Sequence, residues 1–180
     1  MKHPDLTALP HKLDEKAGSC RAVVETPKGR RSKFDYDPKS GLFKLQQLLP
    51  DGMSFPVDFG FVPSTLCDDG DPLDVMILYD EPCPVGSILV VRLIGGIEGQ
   101  QTSDGDKIRN DRIMGVPTVS HLYARIRTME DLEGSFTENL CKFWINKDAL
   151  EGKTFEVLGI ARPKRAIELV REASRRAKAD

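Results

Sequence analysis

Four aspartates crowd into seven positions, Asp68-Asp69-Gly70-Asp71-Pro72-Leu73-Asp74, and the segment runs directly into an apolar stretch, Val75-Met76-Ile77-Leu78. Carboxylates this close repel one another, which raises their pKa values unless a cation lies between them. Gly70 permits a tight turn and Pro72 stiffens it, so Asp69 and Asp71 converge with Asp74 at the mouth of the following strand. Hard oxygen donors of this kind suit magnesium or manganese. An acidic surface turn is the competing reading of these residues taken alone. A calcium EF-hand is excluded by spacing: counted from Asp69, position 5 is Leu73, position 6 is Asp74 and position 12 is Asp80. An aspartyl-phosphate phosphatase would carry its acids after an apolar strand, whereas here the strand follows them.

Other elements must bring cations and a base to this segment. Ala22-Val23-Val24-Glu25 reads as a short strand ending at Pro27, followed by a basic turn, Lys28-Gly29-Arg30-Arg31. Lys33-Phe34-Asp35-Tyr36-Asp37 alternates strictly, placing Lys33, Asp35 and Asp37 on one face and Phe34 and Tyr36 on the other. Leu42 to Leu45 is a partner strand for a hairpin. Phe55, Phe59 and Phe61 form an aromatic group ahead of the acids. A longer strand spans Ile88 to Ile94, with Gly95-Gly96 marking a bulge or a close backbone approach. Gln100 to Asn110 reads as a polar loop around Ser103-Asp104-Gly105-Asp106. Arg112 to Val116 is a further strand, ended by Pro117. Helical spacing arrives late: Phe136, Leu140 and Phe143 define a helix over roughly Ser135 to Asn146. Phe155 to Leu158 is a last strand, and Pro163 opens a terminal helix through Ile167 and Val170. Closely spaced strands followed by late helices imply a small barrel with flanking helices and exclude a Rossmann sheet.

The 180 residues suffice for one body with its own core, expected over residues 20–180 behind an N-terminal extension, residues 1–19, to which no role is assigned. Charged residues make up 30% of the chain, yet the net charge is -2, so no basic field points to nucleic acid. Cys20, Cys67, Cys83 and Cys141 form no Cys-x-x-Cys pair, and His3, His11 and His121 stand in no zinc-like spacing to them. Reduced thiols in a cytoplasm are the simplest account. The N-terminus lacks the apolar core of a signal peptide, and no apolar run approaches the ~20 residues of a membrane helix.

Asp69-Gly70-Asp71-Pro72-Leu73-Asp74-Val75 resembles the signature of the soluble family I inorganic pyrophosphatases. The resemblance extends from Glu25 to Lys153. It includes Glu25 in Val-Val-Glu-x-Pro, the Lys33-Phe34-Asp35 strand, Phe55-Pro56-x-x-Phe59-Gly60-Phe61, Arg112 to Pro117, and Lys147-Asp148 with Gly152-Lys153. It implies an OB-like five-stranded antiparallel barrel with flanking helices, α+β and mainly β. It also implies magnesium-dependent hydrolysis of pyrophosphate to two phosphates, with manganese as a possible substitute, and a homo-oligomer by analogy with bacterial relatives. By the same resemblance Asp69, Asp71 and Asp74 bind the metals, and Asp71 is the general base beside the attacking water. Lys33 and Lys147 bind phosphate, while Glu25 and Asp35 orient a lysine or an outer metal. The chemistry is consistent with those residue types: in-line attack on a phosphoanhydride needs an acidified water, a base for its proton and cations for the phosphate charge.

The chain also departs from the family pattern. Gln47 stands where an arginine is common, Phe55 and Phe59 where tyrosines are, and Asn146 where a tyrosine precedes the helix lysine. Asp35 replaces a glutamate. Aligned back from Pro117, the later metal-binding acids fall on Asn110 and on Gln101 or, with a gap, Asp104 or Asp106, with Asp111 one place off; Asp106 and Asp111 are therefore kept as candidate ligands. Arg112 replaces a lysine and joins the candidate phosphate ligands, and Arg30, Arg31 and Arg109 are further guanidinium forks that can grip phosphate. Two other readings stand beside the main one: a hydrolase of another phosphoanhydride or phosphate ester, and a non-catalytic metal- or anion-binding OB-like domain.

Overall fold

The computed structural model describes residues 4–179; His3 and the outermost ends of the expected extension and body lie outside the described residues. In chain order the strands are β1 (Ser19–Thr26), β2 (Ser32–Asp37), β3 (Leu42–Leu48), β4 (Asp58–Phe61), β5 (Asp74–Ile77), β6 (Ile88–Ser103), β7 (Asp106–Arg109), β8 (Arg112–Pro117) and β9 (Thr154–Ala161). The helices are α1 (Phe136–Leu150) and α2 (Pro163–Ala179), with a single 3-10 turn at Met129–Asp131. Strands β1, β4, β5, β8 and β6 pair in that order, and β6 pairs back to β1, which closes a ring of five. β7 and β9 extend the sheet from the far half of β6, while β2 and β3 form a separate hairpin. The expected barrel is present, with one parallel seam, β5 against β8, in an otherwise antiparallel ring.

β6 serves both the ring and its extension because it bends at Gly95. The register shifts between Leu93 and Gly95, and Gly95 has φ 139, where a Cβ would lie 2.3 Å from the Ala161 carbonyl oxygen. Only glycine fits there without displacing β9. The expected polar loop at Gln100–Asn110 is instead a hairpin. β6 runs on to Ser103, Asp104-Gly105 turns with φ 52 and 89, and β7 returns to Arg109. Two successive positive φ values at Asp-Gly suit a tight hairpin turn, and the polar side chains remain free to face water.

Two apolar clusters fill the body. Ala166, Leu169, Val170 and Ala173 of α2 pack on Val24, Val75, Ile77, Val91 and Ile113, at the i, i+3, i+4, i+7 spacing of a helix with one buried stripe. The second cluster gathers Phe55, Phe59, Met76, Ile94, Met114 and Trp144. Each such side chain contributes roughly 1.5–3 kcal/mol on burial. The helix α1 differs from expectation at its end: it continues past Asn146 to Leu150, and its buried residues are Leu140, Trp144, Lys147 and Asp148. The Lys147–Glu151 ion pair, 2.5 Å and four residues apart, supports the extra turn, and Gly152 at φ 72 follows it. A face that starts apolar therefore ends ionic, which delivers a lysine and an aspartate to the mouth of the ring.

Candidate active site

A cavity of about 340 Å³ opens at the mouth of the ring, room for about ten water molecules. Asp69, Asp71, Asp74, Glu25 and Asp35 line it, and Lys33, Lys147, Arg112 and Lys153 supply its cations. The acids owe their position to the short loop before β5. The Cys67 amide donates to the Asp71 carbonyl at 2.8 Å, Gly70 turns back onto the Cys67 carbonyl at 3.1 Å, and the Asp71 amide donates to Asp69 Oδ1 at 3.1 Å. Gly70 has φ 88, so the turn depends on it. Asp68 pairs with Arg176 at 3.3 Å and is absent from the cavity wall. Asp74 opens β5, and the parallel register sets it directly beside Arg112, the first residue of β8.

The acids are held in an environment that disfavours their charge. Burial pushes Asp74 up to about 7, countered by Arg112 and Lys33. Burial pushes Glu25 up to about 8, against the Tyr36 amide that donates to its Oε1 at 2.7 Å. Asp69 and Asp71 are also raised, by burial first and then by acidic neighbours, Asp71 for Asp69 and Asp35 for Asp71. Among the described residues no three Asp, Glu, His or Cys side chains form a ready-made metal cage. The donor set nevertheless fits a hard divalent cation: three carboxylates share one cavity, and a cation between them would relieve the burial and repulsion that raise their pKa values.

The cations are arranged unequally. Lys33 Nζ donates to Asp35 Oδ1 at 2.6 Å and to Gln46 Oε1 at 2.5 Å. Lys147 binds Glu151 at 2.5 Å and Asp148 at 3.4 Å, and Lys153 binds Glu151 at 3.3 Å. Arg112 is 3% exposed and lies between the Trp144 and Phe155 rings, 4.2 Å from each centroid. Its Nε and Nη1 have no hydrogen-bond partner. The nearest carboxylates, Asp74 at 3.6 Å and Asp148 at 3.8 Å, are ion-pair neighbours beyond hydrogen-bond reach.

Of the residues singled out in the sequence, Glu25, Lys33, Asp35, Asp69, Asp71, Asp74, Arg112 and Lys147 come together in this cavity. Asp106 and Asp111 do not. Asp106 sits exposed at the β6–β7 hairpin. Asp111 is bound to Arg109 at 2.7 Å and to the Gly99 amide at 2.9 Å, because strand alternation sends Asn110 and Arg112 into the cavity and the residue between them behind it. Arg109 pairs with Glu98 and Asp111, Arg31 with Asp51, and neither these nor Arg30 lines the cavity. Gln47 is buried with an unpartnered Oε1, and Phe55 belongs to the core. Phe59 and Trp144 do form part of the wall, as do Gln101 and Asn110.

Sequence reasoning missed Thr7, Gln46, Trp144 and Glu151. Glu151 had a signal, its four-residue spacing from Lys147. Thr7 had none: it arrives on the N-terminal segment, where Leu6 donates to Tyr36 Oη at 3.1 Å and Ser64 donates to the Thr7 carbonyl at 2.6 Å.

A closed five-strand ring whose mouth gathers acids, lysines and a buried guanidinium in one cavity is the arrangement to be matched against known proteins. The family described as inorganic pyrophosphatase matches residues 22–178, and the chain belongs to that family. It is 34% identical over 155 residues to the inorganic pyrophosphatase of Synechocystis sp., covering 86% of this chain and 88% of the relative. It is likewise 34% identical over 152 residues to the enzyme of Thermus thermophilus. The crystal structure of the Thermus thermophilus inorganic pyrophosphatase superposes with a TM-score of 0.86 at 30% identity, covering 97% of this chain and 99% of that one. That of Neisseria gonorrhoeae gives 0.87 at 26% identity with the same coverage.

Proposed function

We propose that this cavity hydrolyses inorganic pyrophosphate to two phosphates. The observation that carries the reading is the convergence of Asp69, Asp71 and Asp74 with Lys33, Lys147 and Arg112 on one cavity in a chain of the pyrophosphatase family. Asp69, Asp71 and Asp74 would hold Mg²⁺, or Mn²⁺ in its place, through hard carboxylate oxygens. When bound, such an ion supplies charge neutralisation and a more acidic water. Asp71 would accept the proton of the attacking water. In the metal-free cavity its pKa is raised by burial and by Asp35. Lys33 and Lys147 bind phosphate oxygens, and Arg112 offers two unpartnered donors from below. Glu25 and Asp35 act indirectly: Asp35 anchors Lys33, and Glu25 ties β1 to β2 through the Tyr36 amide. Asp106 and Asp111 have no part in this site.

The four cysteines are unpaired, which suits a reducing cytoplasm, and no helix among the described residues is long and apolar enough to cross a membrane. The working form is a homo-oligomer.

The reading is tested by phosphate release from pyrophosphate, ATP and a simple phosphate monoester, with and without Mg²⁺. Fast release from pyrophosphate alone, lost in EDTA, is expected. Release chiefly from ATP or the monoester would favour the other hydrolase reading, and Mg²⁺ binding with no release from any substrate would leave a binding domain.

A further inference from the structure

The segment ahead of β1 reaches the mouth of the cavity without belonging to the ring. Half-buried Thr7 lines both the active-site cavity and a neighbouring one of about 570 Å³. The two cavities share Thr7, Tyr36, Asp71 and Pro72, so these four residues frame the passage between them. Asp71 and Pro72 sit in the loop before β5 and Tyr36 in β2, whereas Thr7 is brought there by the N-terminal segment.

That segment is anchored on both sides of Thr7. The Ser64 amide donates to the Thr7 carbonyl at 2.6 Å, and the Ser64 hydroxyl donates to the Leu9 carbonyl at 2.8 Å. Ser64 makes both bonds from the left-handed region, φ 52, which a residue with a Cβ adopts only at a cost. The Leu6 amide donates to Tyr36 Oη at 3.1 Å, and its side chain packs on Val23, Tyr36 and Phe61. The Thr7 amide and hydroxyl both donate to Asp5 Oδ1, at 2.9 and 2.7 Å, which fixes the direction of the side chain. Further along, the Arg21 amide donates to the His11 carbonyl at 2.7 Å, and His11 Nε2 lies 3.0 Å from Ser174 Oγ on α2.

The passage is also unfavourable for an anion. Asp71 borders it and Asp5 holds Thr7 from behind. Lys33, Lys147, Arg112 and Lys153 line the active-site cavity and not its neighbour, whose lining takes its positive charge from Lys178. A phosphate chain that extends past Thr7 therefore leaves most of its countercharge behind.

We propose that Thr7 is a specificity-determining residue: held across the passage, its side chain stops a phosphate chain from extending into the neighbouring cavity, so that diphosphate is accepted and inorganic triphosphate rejected. This rests on the cavity being the pyrophosphate site, and it adds which part of the chain enforces the length of the substrate.

The test compares kcat/KM for tripolyphosphate with kcat/KM for pyrophosphate, in Mg²⁺, for the wild type, Thr7→Ser and Thr7→Gly. Both substrates are measured on one preparation, so the ratio does not depend on how much of a variant is folded. Thr7→Ser removes only a methyl group and keeps the donors to Asp5. A low wild-type ratio is expected, raised in Thr7→Ser and raised roughly tenfold or more in Thr7→Gly, the scale of discrimination that a small change in side-chain bulk supplies. A wild type that turns over the triphosphate as readily as pyrophosphate, or a ratio unmoved in both variants, would overturn the proposal. The same selection is read without turnover by calorimetric titration, in Mg²⁺, of methylene diphosphonate and its bismethylene triphosphate homologue. The diphosphonate is expected to bind the wild type more tightly, with the difference narrowed in Thr7→Gly; equal wild-type affinities or an unchanged difference would count against Thr7. The function is judged separately: a wild type that releases no phosphate from pyrophosphate sinks the enzyme reading while the titrations still decide for Thr7, and release from pyrophosphate with an unmoved ratio sinks the role of Thr7 alone.

Discussion

Lys147 shows how one side chain links fold to chemistry. It is 4% exposed, on the last buried turn of α1, and its ammonium is shared between Glu151 and Asp148. Removing it takes a cation from the cavity and leaves Asp148 less compensated. Lys147→Met is expected to lower kcat/KM roughly 10- to 100-fold, the range for a hydrogen bond to a charged group worth about 1.5–3 kcal/mol, and steady-state kinetics on pyrophosphate check it. At this scale much was legible from the sequence. The heptad Asp69 to Val75 carries its own turn residues, and strand alternation alone placed Lys33 and Asp35 on one face. The fate of Arg112 was only partly legible, because its neighbours are set by long-range pairings. Its aromatic clamp joins Trp144 of α1 to Phe155 of β9, and no local pattern announces that meeting. Asp111 shows the reverse: an acid near the expected position proved to face away, because one step along a strand changes sides.

Among the elements, β6 does the most to assemble the site. It closes the ring with β1, pairs with β8 to place Arg112, and carries β7 and β9 beyond the bend at Gly95. Gly99 is where that strand meets the clamp: a Cβ there would come within 2.2 Å of the Phe155 ring. Gly99→Ala is expected to push Phe155 off Arg112, destabilising the fold by about 1–3 kcal/mol through overpacking. The corresponding fall in melting temperature is ~2–4 °C per kcal/mol, with reduced activity alongside. An unchanged melting temperature would mean that the ring moves aside freely. The sequence placed most elements correctly because their apolar alternation is strong, and Gly95-Gly96 marked the bend. It missed the β6–β7 hairpin because Gln100 to Arg109 lacks an apolar face: those strands are held by pairing at the edge of the sheet, and polarity alone reads as loop. It ended α1 early because a buried lysine and aspartate do not look like a helix's inner face.

For the whole molecule, a cavity that buries the carboxylate of Glu25 must weaken the fold when that group is charged. Glu25 has its folded pKa raised to about 8 from an ordinary 4.5, so the stability it permits is full below pH 4.5 and is lost as pH rises through 8. Asp74, raised to about 7, acts in the same direction. In EDTA the protein is expected to be more stable near pH 5 than near pH 8, by roughly a few kcal/mol at ~1.4 kcal/mol per pKa unit. Glu25→Gln is expected to flatten that slope in urea unfolding measured across the range; a wild-type slope of opposite sign would contradict the placement of Glu25. Mg²⁺ added at pH 8 is expected to restore stability, since a ligand of the folded state stabilises it by mass action. The measurement that bears most directly on the account is phosphate release from pyrophosphate in saturating Mg²⁺ by the wild type and by Asp71→Asn. The side chain of Asp71 is exposed at the cavity mouth, so the variant is expected to melt like the wild type while its kcat falls about 10²- to 10⁴-fold, the range for removing a general base. A folded Asp71→Asn that releases phosphate at the wild-type rate would contradict the account.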